Sequence, residues 1–315
     1  MKLLVLGAGG IGGYFGGRLA ASGTDVTFLV RQKRREQLDR DGLRIESAFG
    51  NLTLPVRTVD AASLQPDYDI VLLTCKAYDL DSAMDAIAPA MQGHCGVLPL
   101  LNGFAHLNRL DDRFGAANVM GGTASINVTL TKDGIVQHSG PMQRIAFGER
   151  ERTRSVRAEA FAAEVARSSF DWEFADDVNQ NLWEKIVFLS ALAATTSLFR
   201  ASVAEILSSA GGRDAMERTL ATNIAIATRE GHPPRETALA FSRSVMTESS
   251  PLTSSMLRDI ENGAQVESDH IVGWMLDKAR AHNLDDTMLA IAYTHLKAYE
   301  ARRAAGRLTP VPSRT

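Results

Sequence analysis

Two features of the chain place residue types where they can do chemistry: the glycines Gly7, Gly9 and Gly12, in G-x-G-x-x-G spacing, and Lys185, inside the apolar run 182–193. The first pattern binds phosphates. Gly7 permits a tight turn, Gly9 lets the backbone approach a pyrophosphate with no Cβ in the way, and Gly12 lets a helix pack close to a strand. Gly10 and Ile11 open that helix, whose N–H groups and positive dipole end attract anions. A glycine-rich turn without a ligand is the competing reading, and the strand–turn–helix context argues against it.

The second pattern moves protons. Helical spacing puts Lys185 on one stripe with Leu189 and Ala193, so its amine projects from a low-dielectric face. Desolvation favours the neutral amine and lowers the pKa towards the range where a lysine exchanges protons near neutrality. A lysine snorkelling at a domain edge, or paired with Glu184 or Glu205, fits the same residues.

Further candidates stand at the ends of expected strands. Arg31 closes a β-branched run at 25–30, where an acid would suit a ribose 2′-hydroxyl and an arginine suits a 2′-phosphate, so the cofactor read here is NADP. For 33–35 a solvated basic helix start is the reading. Lys76 follows an apolar strand at 69–75, and Asn102 follows another at 96–101. Ser255 lies in a Ser/Thr-rich helix start expected over 249–259, where such residues also serve as caps. Glu267 falls in the first turn of a helix expected over 266–283, an ordinary place for an acid.

The elements that position these residues divide the chain in two. Strands alternate with helices over 1–176, which predicts a Rossmann-type, doubly wound parallel α/β sheet. A hairpin is expected at 42–56, and shorter strands at 119–148 read as a mixed extension of the sheet. From 177 to 305 the pattern is helical throughout, an all-α domain with the run 182–193 at its centre. Residues 306–315 read as a loosely held polar tail.

The chain has 315 residues, is 45% hydrophobic and 23% charged, and carries a formal net charge of −3. That balance argues against nucleic acid as the main partner. Cys75 and Cys95 read as small core residues, and the seven histidines show no metal-ligand spacing. No apolar run is read as a membrane span or secretory signal. A cytoplasmic enzyme or binding protein is the class left, and a homodimer stays open.

In order and spacing, nearly the whole chain resembles the ketopantoate reductase (2-dehydropantoate 2-reductase) family. The resemblance rests on Leu6-Gly-Ala-Gly-Gly-Ile-Gly12, Arg31, Thr74-Cys-Lys-Ala77, Leu101-Asn-Gly103, Trp183-Glu-Lys185 and Thr253-Ser-Ser-Met-Leu-Arg-Asp259, with Glu267 beyond. It implies NADPH-dependent reduction of a 2-oxo acid, with ketopantoate, an intermediate of pantothenate biosynthesis, as the first candidate. It further implies Lys185 as general acid, Glu267 as its hydrogen-bonding companion, Asn102 and Lys76 as active-site and cofactor residues, and Ser255 as a ligand of the substrate carboxylate. Leu189 and Ala193 depart from the asparagines the family typically places four and eight residues after its lysine. That change makes the pocket more apolar, so a less polar 2-oxo acid or an imine is a second reading, and a non-catalytic NADPH-binding sensor a third.

Overall fold

The computed structural model describes residues 1–308, so the expected tail lies mostly outside the described residues. Contacts divide the chain into two units, Met1–Asn181 and Leu182–Thr315, each described here by itself.

The first unit is built on β1 (Lys2–Leu6), in which Leu3, Leu4 and Val5 are wholly buried, as befits a strand covered on both faces. It leads through α1 (Gly10–Ala21) to β2 (Asp25–Leu29), then α2 (Gln32–Asp41), β3 (Leu43–Glu46), β4 (Leu52–Leu54), β5 (Arg57–Val59) and β6 (Ile70–Leu73). Next come α3 (Leu80–Ile87), β7 (Gly96–Pro99), α4 (Ala105–Phe114), β8 (Gly121–Leu130), β9 (Ile135–Gly148), α5 (Val156–Val165) and β10 (Asp171–Phe174). The main sheet runs β5–β2–β1–β6–β7 with every pairing parallel. The chain leaves β1 towards β2 and later crosses to β6 on the other side, so the strand order switches direction beside β1. A crevice at the carboxyl ends of the strands belongs there.

The strands at 119–148 do not extend this sheet. They form a second, mixed one in the order β10–β9–β3–β4, with β8 antiparallel to β9. Helix α1 explains the separation, because it fills the space between the two sheets. A Cβ on Gly16 would press on Phe28 and Val5 of the main sheet, whereas one on Gly13 or Gly17 would press on Val136, or on Ile45 and Leu43, of the second. Each helical glycine costs about 0.5–1 kcal/mol relative to alanine. The burial of Tyr14, Phe15, Phe28, Leu43, Ile45 and Val136 in one core offsets that cost.

The second unit begins within α6 (Val178–Phe199), a few residues beyond the boundary expected near 176. By length and composition α6 could cross a membrane, with mean hydropathy 1.3 over 18 residues, which corrects the expectation that no run is long enough. As 67% of that window is buried within the protein, the packing is that of a core helix. It is followed by α7 (Val203–Ser208), α8 (Gly212–Arg229), α9 (Glu236–Val245) and α10 (Ser255–Glu261). A wide π turn (Asp269–Gly273), α11 (Trp274–Ala281) and α12 (Thr287–Ala304) complete the unit.

Two helix starts differ from expectation. Helix α10 begins at Ser255 rather than 249, because the Ser250 and Leu252 carbonyls accept the Ala204 and Val203 N–H groups at 2.9 and 3.0 Å and are committed to capping α7. The helix expected over 266–283 is regular only from Trp274, and Glu267 precedes the π turn instead of sitting in a first helical turn.

Candidate active site

Strand register brings the candidates of the first unit to one edge. Leu29, Leu6, Leu73 and Pro99 are paired across β2, β1, β6 and β7. Arg31, Gly7, Lys76 and Asn102 therefore all emerge just past the same row of strand ends. Gly7 has φ +88°, which a side chain would strain, and its N–H donates to the Leu29 carbonyl at 2.9 Å. A Cβ on Gly12 would strike the Gly7 carbonyl and lie 2.5 Å from Thr74 Oγ1, so α1 packs here at backbone distance. Thr74 Oγ1 in turn donates to the Leu6 carbonyl at 2.8 Å and fixes the end of β1.

Gly9 is different. Its φ is −84° and a Cβ would meet nothing within 4 Å, so neither conformation nor packing within the protein requires glycine. Open space above a helix N-terminus that no side chain caps is what a close-lying pyrophosphate needs. Gly10 approaches β8, where a Cβ would lie 3.2 Å from the Val128 carbonyl oxygen, and Ile11 follows in the first turn.

Arg31 is the N-cap residue of α2 and is exposed, and no hydrogen bond or ion pair among the described residues holds its side chain. Arg34 and Arg35 are not the solvated pair expected. Arg34 reaches back to the glycine turn, its Nε donating to the Ala8 carbonyl at 3.1 Å and its Nη1 to the Gly134 carbonyl at 3.0 Å. Burial, then nearby Arg44, lowers its pKa, and its buried Nη2 has no partner. Nothing in the sequence sets Arg34 apart from its basic neighbours. Arg35 pairs with Asp60 at 3.0 Å, and Asp60 is also taken up by Ser63, so the acid at the end of β5 is already occupied. Lys76 is half-buried at the start of a short turn, and half-buried Asn102 precedes Gly103 (φ +83°). Cys75 is only half-buried, whereas burial, then Asp69, pushes the Cys95 thiol up to about 12 and leaves it inert.

In the second unit Lys185 is half-buried on α6, as is Leu189, while Ala193 is 1% exposed. Burial lowers the Lys185 pKa to about 8, against the opposing pull of the Glu267 carboxylate, which favours the charged amine. Glu267 is itself 6% exposed. The other two acids the sequence offered as partners are engaged elsewhere. Arg235 grips Glu184 with Nε and Nη2, both at 2.7 Å, and Glu205 closes a capping box with Ser202 at the start of α7. Trp183 lies 5.3 Å from Trp274, ring centre to ring centre.

Ser255 is half-buried at the first position of α10. The capping belongs to its neighbour: Ser254 Oγ accepts the Leu257 N–H at 3.0 Å and the Thr196 hydroxyl at 2.8 Å. Thr196 lies one turn beyond Ala193 on α6, so the start of α10 is tied to the end of the Lys185 stripe. This tie was not readable from the sequence.

A groove of about 470 Å3 lined by Ala117, Glu149, Arg150, Ser155 and Arg157 contains none of these residues. Within it Glu149 is held by Arg157 and Ser155, and Arg150 by Asp111. Among the described residues no group of three or more His, Cys, Asp or Glu is placed to hold a metal ion.

A parallel α/β unit with a phosphate-type glycine turn, followed by a helical unit with a lysine–glutamate pair, defines a class of two-part proteins. Two family models cover it: Ketopantoate reductase PanE/ApbA over residues 3–152, and Ketopantoate reductase PanE/ApbA C terminal over residues 177–300. The chain belongs to the ketopantoate reductase family and is an oxidoreductase. It is 37% identical over 311 residues to a Bacillus subtilis protein named Uncharacterized oxidoreductase YkpB, covering 96% of this chain and 100% of that one. It is 27% identical over 287 residues to a 2-dehydropantoate 2-reductase of Halobacterium salinarum, covering 90% of this chain and 94% of the relative. Among solved structures, a 2-dehydropantoate 2-reductase from Geobacter metallireducens superposes with TM-score 0.86 at 26% identity, covering 95% of this chain and 99% of that one.

Proposed function

We propose that this oxidoreductase reduces a 2-oxo acid to the 2-hydroxy acid with NADPH, acting in the cytoplasm. The observation that carries the reading is Lys185, a lysine on the core helix α6 whose pKa burial brings to about 8 beside the Glu267 carboxylate. The open space at Gly9 fits the pyrophosphate of a dinucleotide, and the uncommitted Arg31 fits a 2′-phosphate, with Lys76 and Asn102 at the same edge. When bound at this edge, NADPH would supply the hydride that the carbonyl carbon accepts. Lys185 supplies the proton: its ammonium stabilises the charge growing on the carbonyl oxygen and then protonates it, so carbonyl, hydride and proton together give the hydroxyl. Glu267 keeps that ammonium charged, and the Ser255 hydroxyl is suited to donate to the substrate carboxylate.

2-Dehydropantoate is the first substrate to test, as the names of the Halobacterium and Geobacter relatives support. Leu189 supports a second reading, because an apolar, half-buried side chain one turn from Lys185 offers a substrate hydroxyl no hydrogen bond. Steady-state NADPH oxidation over a panel of 2-oxo acids decides between them. A higher kcat/KM for 2-dehydropantoate than for apolar 2-oxo acids supports the first, and the reverse order the second. No oxidation with any member would remove both.

A further inference from the structure

Glu267 is buried but stands outside regular helix, immediately before Ser268 and the π turn. Such a turn is rare, appears mostly as a single wide turn within helices, and is frequent at functional sites. Here α12 supplies side chains that hold it. Ser268 is 1% exposed and donates its hydroxyl to Glu300 Oε1 at 2.5 Å. Asp269 accepts from the Tyr293 hydroxyl at 2.6 Å and from the Lys297 ammonium, which lies 3.1 Å from each carboxylate oxygen. Lys297 also pairs with Glu300 at 2.5 Å, which closes the network. At the far end of the turn a Cβ on Gly273 would lie 2.8 Å from Tyr293 Cε2, so the same ring braces both ends.

An exposed ion pair contributes little alone, and Asp269 and Lys297 are exposed. The holding power therefore lies in the buried Ser268 hydroxyl and in Tyr293, which combines a hydrogen bond with ring packing.

We propose that Ser268 and Tyr293 are positioning residues, through which α12 fixes the π turn and so holds the Glu267 carboxylate against the Lys185 ammonium. The proposal rests on Lys185 as the proton donor. Glu267 is the charge that bears on Lys185, since Arg235 occupies Glu184, while Asp269, Glu300, Lys297 and His270 surround the turn itself. If the turn loosens, the attraction of Glu267 weakens and burial remains, so Lys185 loses its proton at lower pH.

The test uses the full chain as Ser268→Ala and Tyr293→Phe, neither of which alters net charge at neutral pH. Competitive labelling of Lys185 with acetic anhydride across pH, read by mass spectrometry, reports its protonation without substrate, beside the pH profile of kcat/KM. Each variant is expected to lower the labelling midpoint by about half a pH unit or more and to move the basic limb of the profile with it. Added to Glu267→Gln, either change should produce no further shift, because the route through Glu267 is already gone. Wild-type midpoints in both variants, whatever their Tm, or shifts that add to Glu267→Gln, would overturn the proposal. Should Lys185→Ala turn over at the wild-type rate, the catalytic reading falls, and the labelling midpoints still decide the positioning.

Discussion

At the scale of single residues, the proposed function turns on a balance at Lys185. Burial disfavours its ammonium and the Glu267 carboxylate favours it, for a net pKa of about 8. A general acid must be protonated, so kcat/KM for reduction should fall as pH rises through about 8, once the fall is corrected for any change in the substrate. In Glu267→Gln the raising influence is lost while burial remains, and the decline should begin at lower pH. A basic limb unmoved by that change would contradict the pairing. Arg31 makes a separate prediction: Arg31→Ala should weaken NADPH binding, measured by titration calorimetry, and leave NADH binding nearly unchanged. Equal losses would remove the 2′-phosphate role. Lys185 and Arg31 stood out in the sequence because each stands where its type is unexpected. Arg34 was not, because a basic side chain that turns inwards to a carbonyl looks in sequence like one that faces water.

At the scale of elements, α1 separates glycines that serve packing from one whose open surroundings suit a ligand. Gly12 faces the Gly7 carbonyl and Thr74 at distances no Cβ tolerates, whereas Gly9 faces open space at an ordinary φ. Gly12→Ala should therefore lower Tm, with a cost on the order of 1–3 kcal/mol for overpacking. Gly9→Ala should leave Tm unchanged and weaken cofactor binding. Circular dichroism melts with and without NADPH separate the two, and a destabilised Gly9→Ala with normal affinity would refute the ligand role. The turn, strand and helix around these glycines follow from local pattern, which is why they could be read directly. The second sheet and the π turn could not. One depends on β3 pairing with β9, far along the chain, and the other on contacts that α12 makes from 20 residues or more beyond it. Nor could the start of α10 be placed, since the carbonyls of the stretch before it are spent on α7.

At the scale of the whole molecule, the proposed function gives each unit one part of the reaction: the first the features of a dinucleotide site, the second the lysine–glutamate pair. The division into an α/β part and a helical part was plain from the sequence, as hydrophobic period changes along the chain. Substrate choice was less so, because Leu189 and Ala193 remove polar groups without supplying a new shape that sequence can name. The division of labour implies that binding and turnover are separable. The most direct measurement compares wild type with Lys185→Ala, reading NADPH affinity by fluorescence and NADPH oxidation with the best 2-oxo acid of the panel. Affinity should be retained while kcat/KM falls by at least about a hundredfold, as loss of a general acid requires. Turnover at the wild-type rate in Lys185→Ala would show that the proton comes from elsewhere.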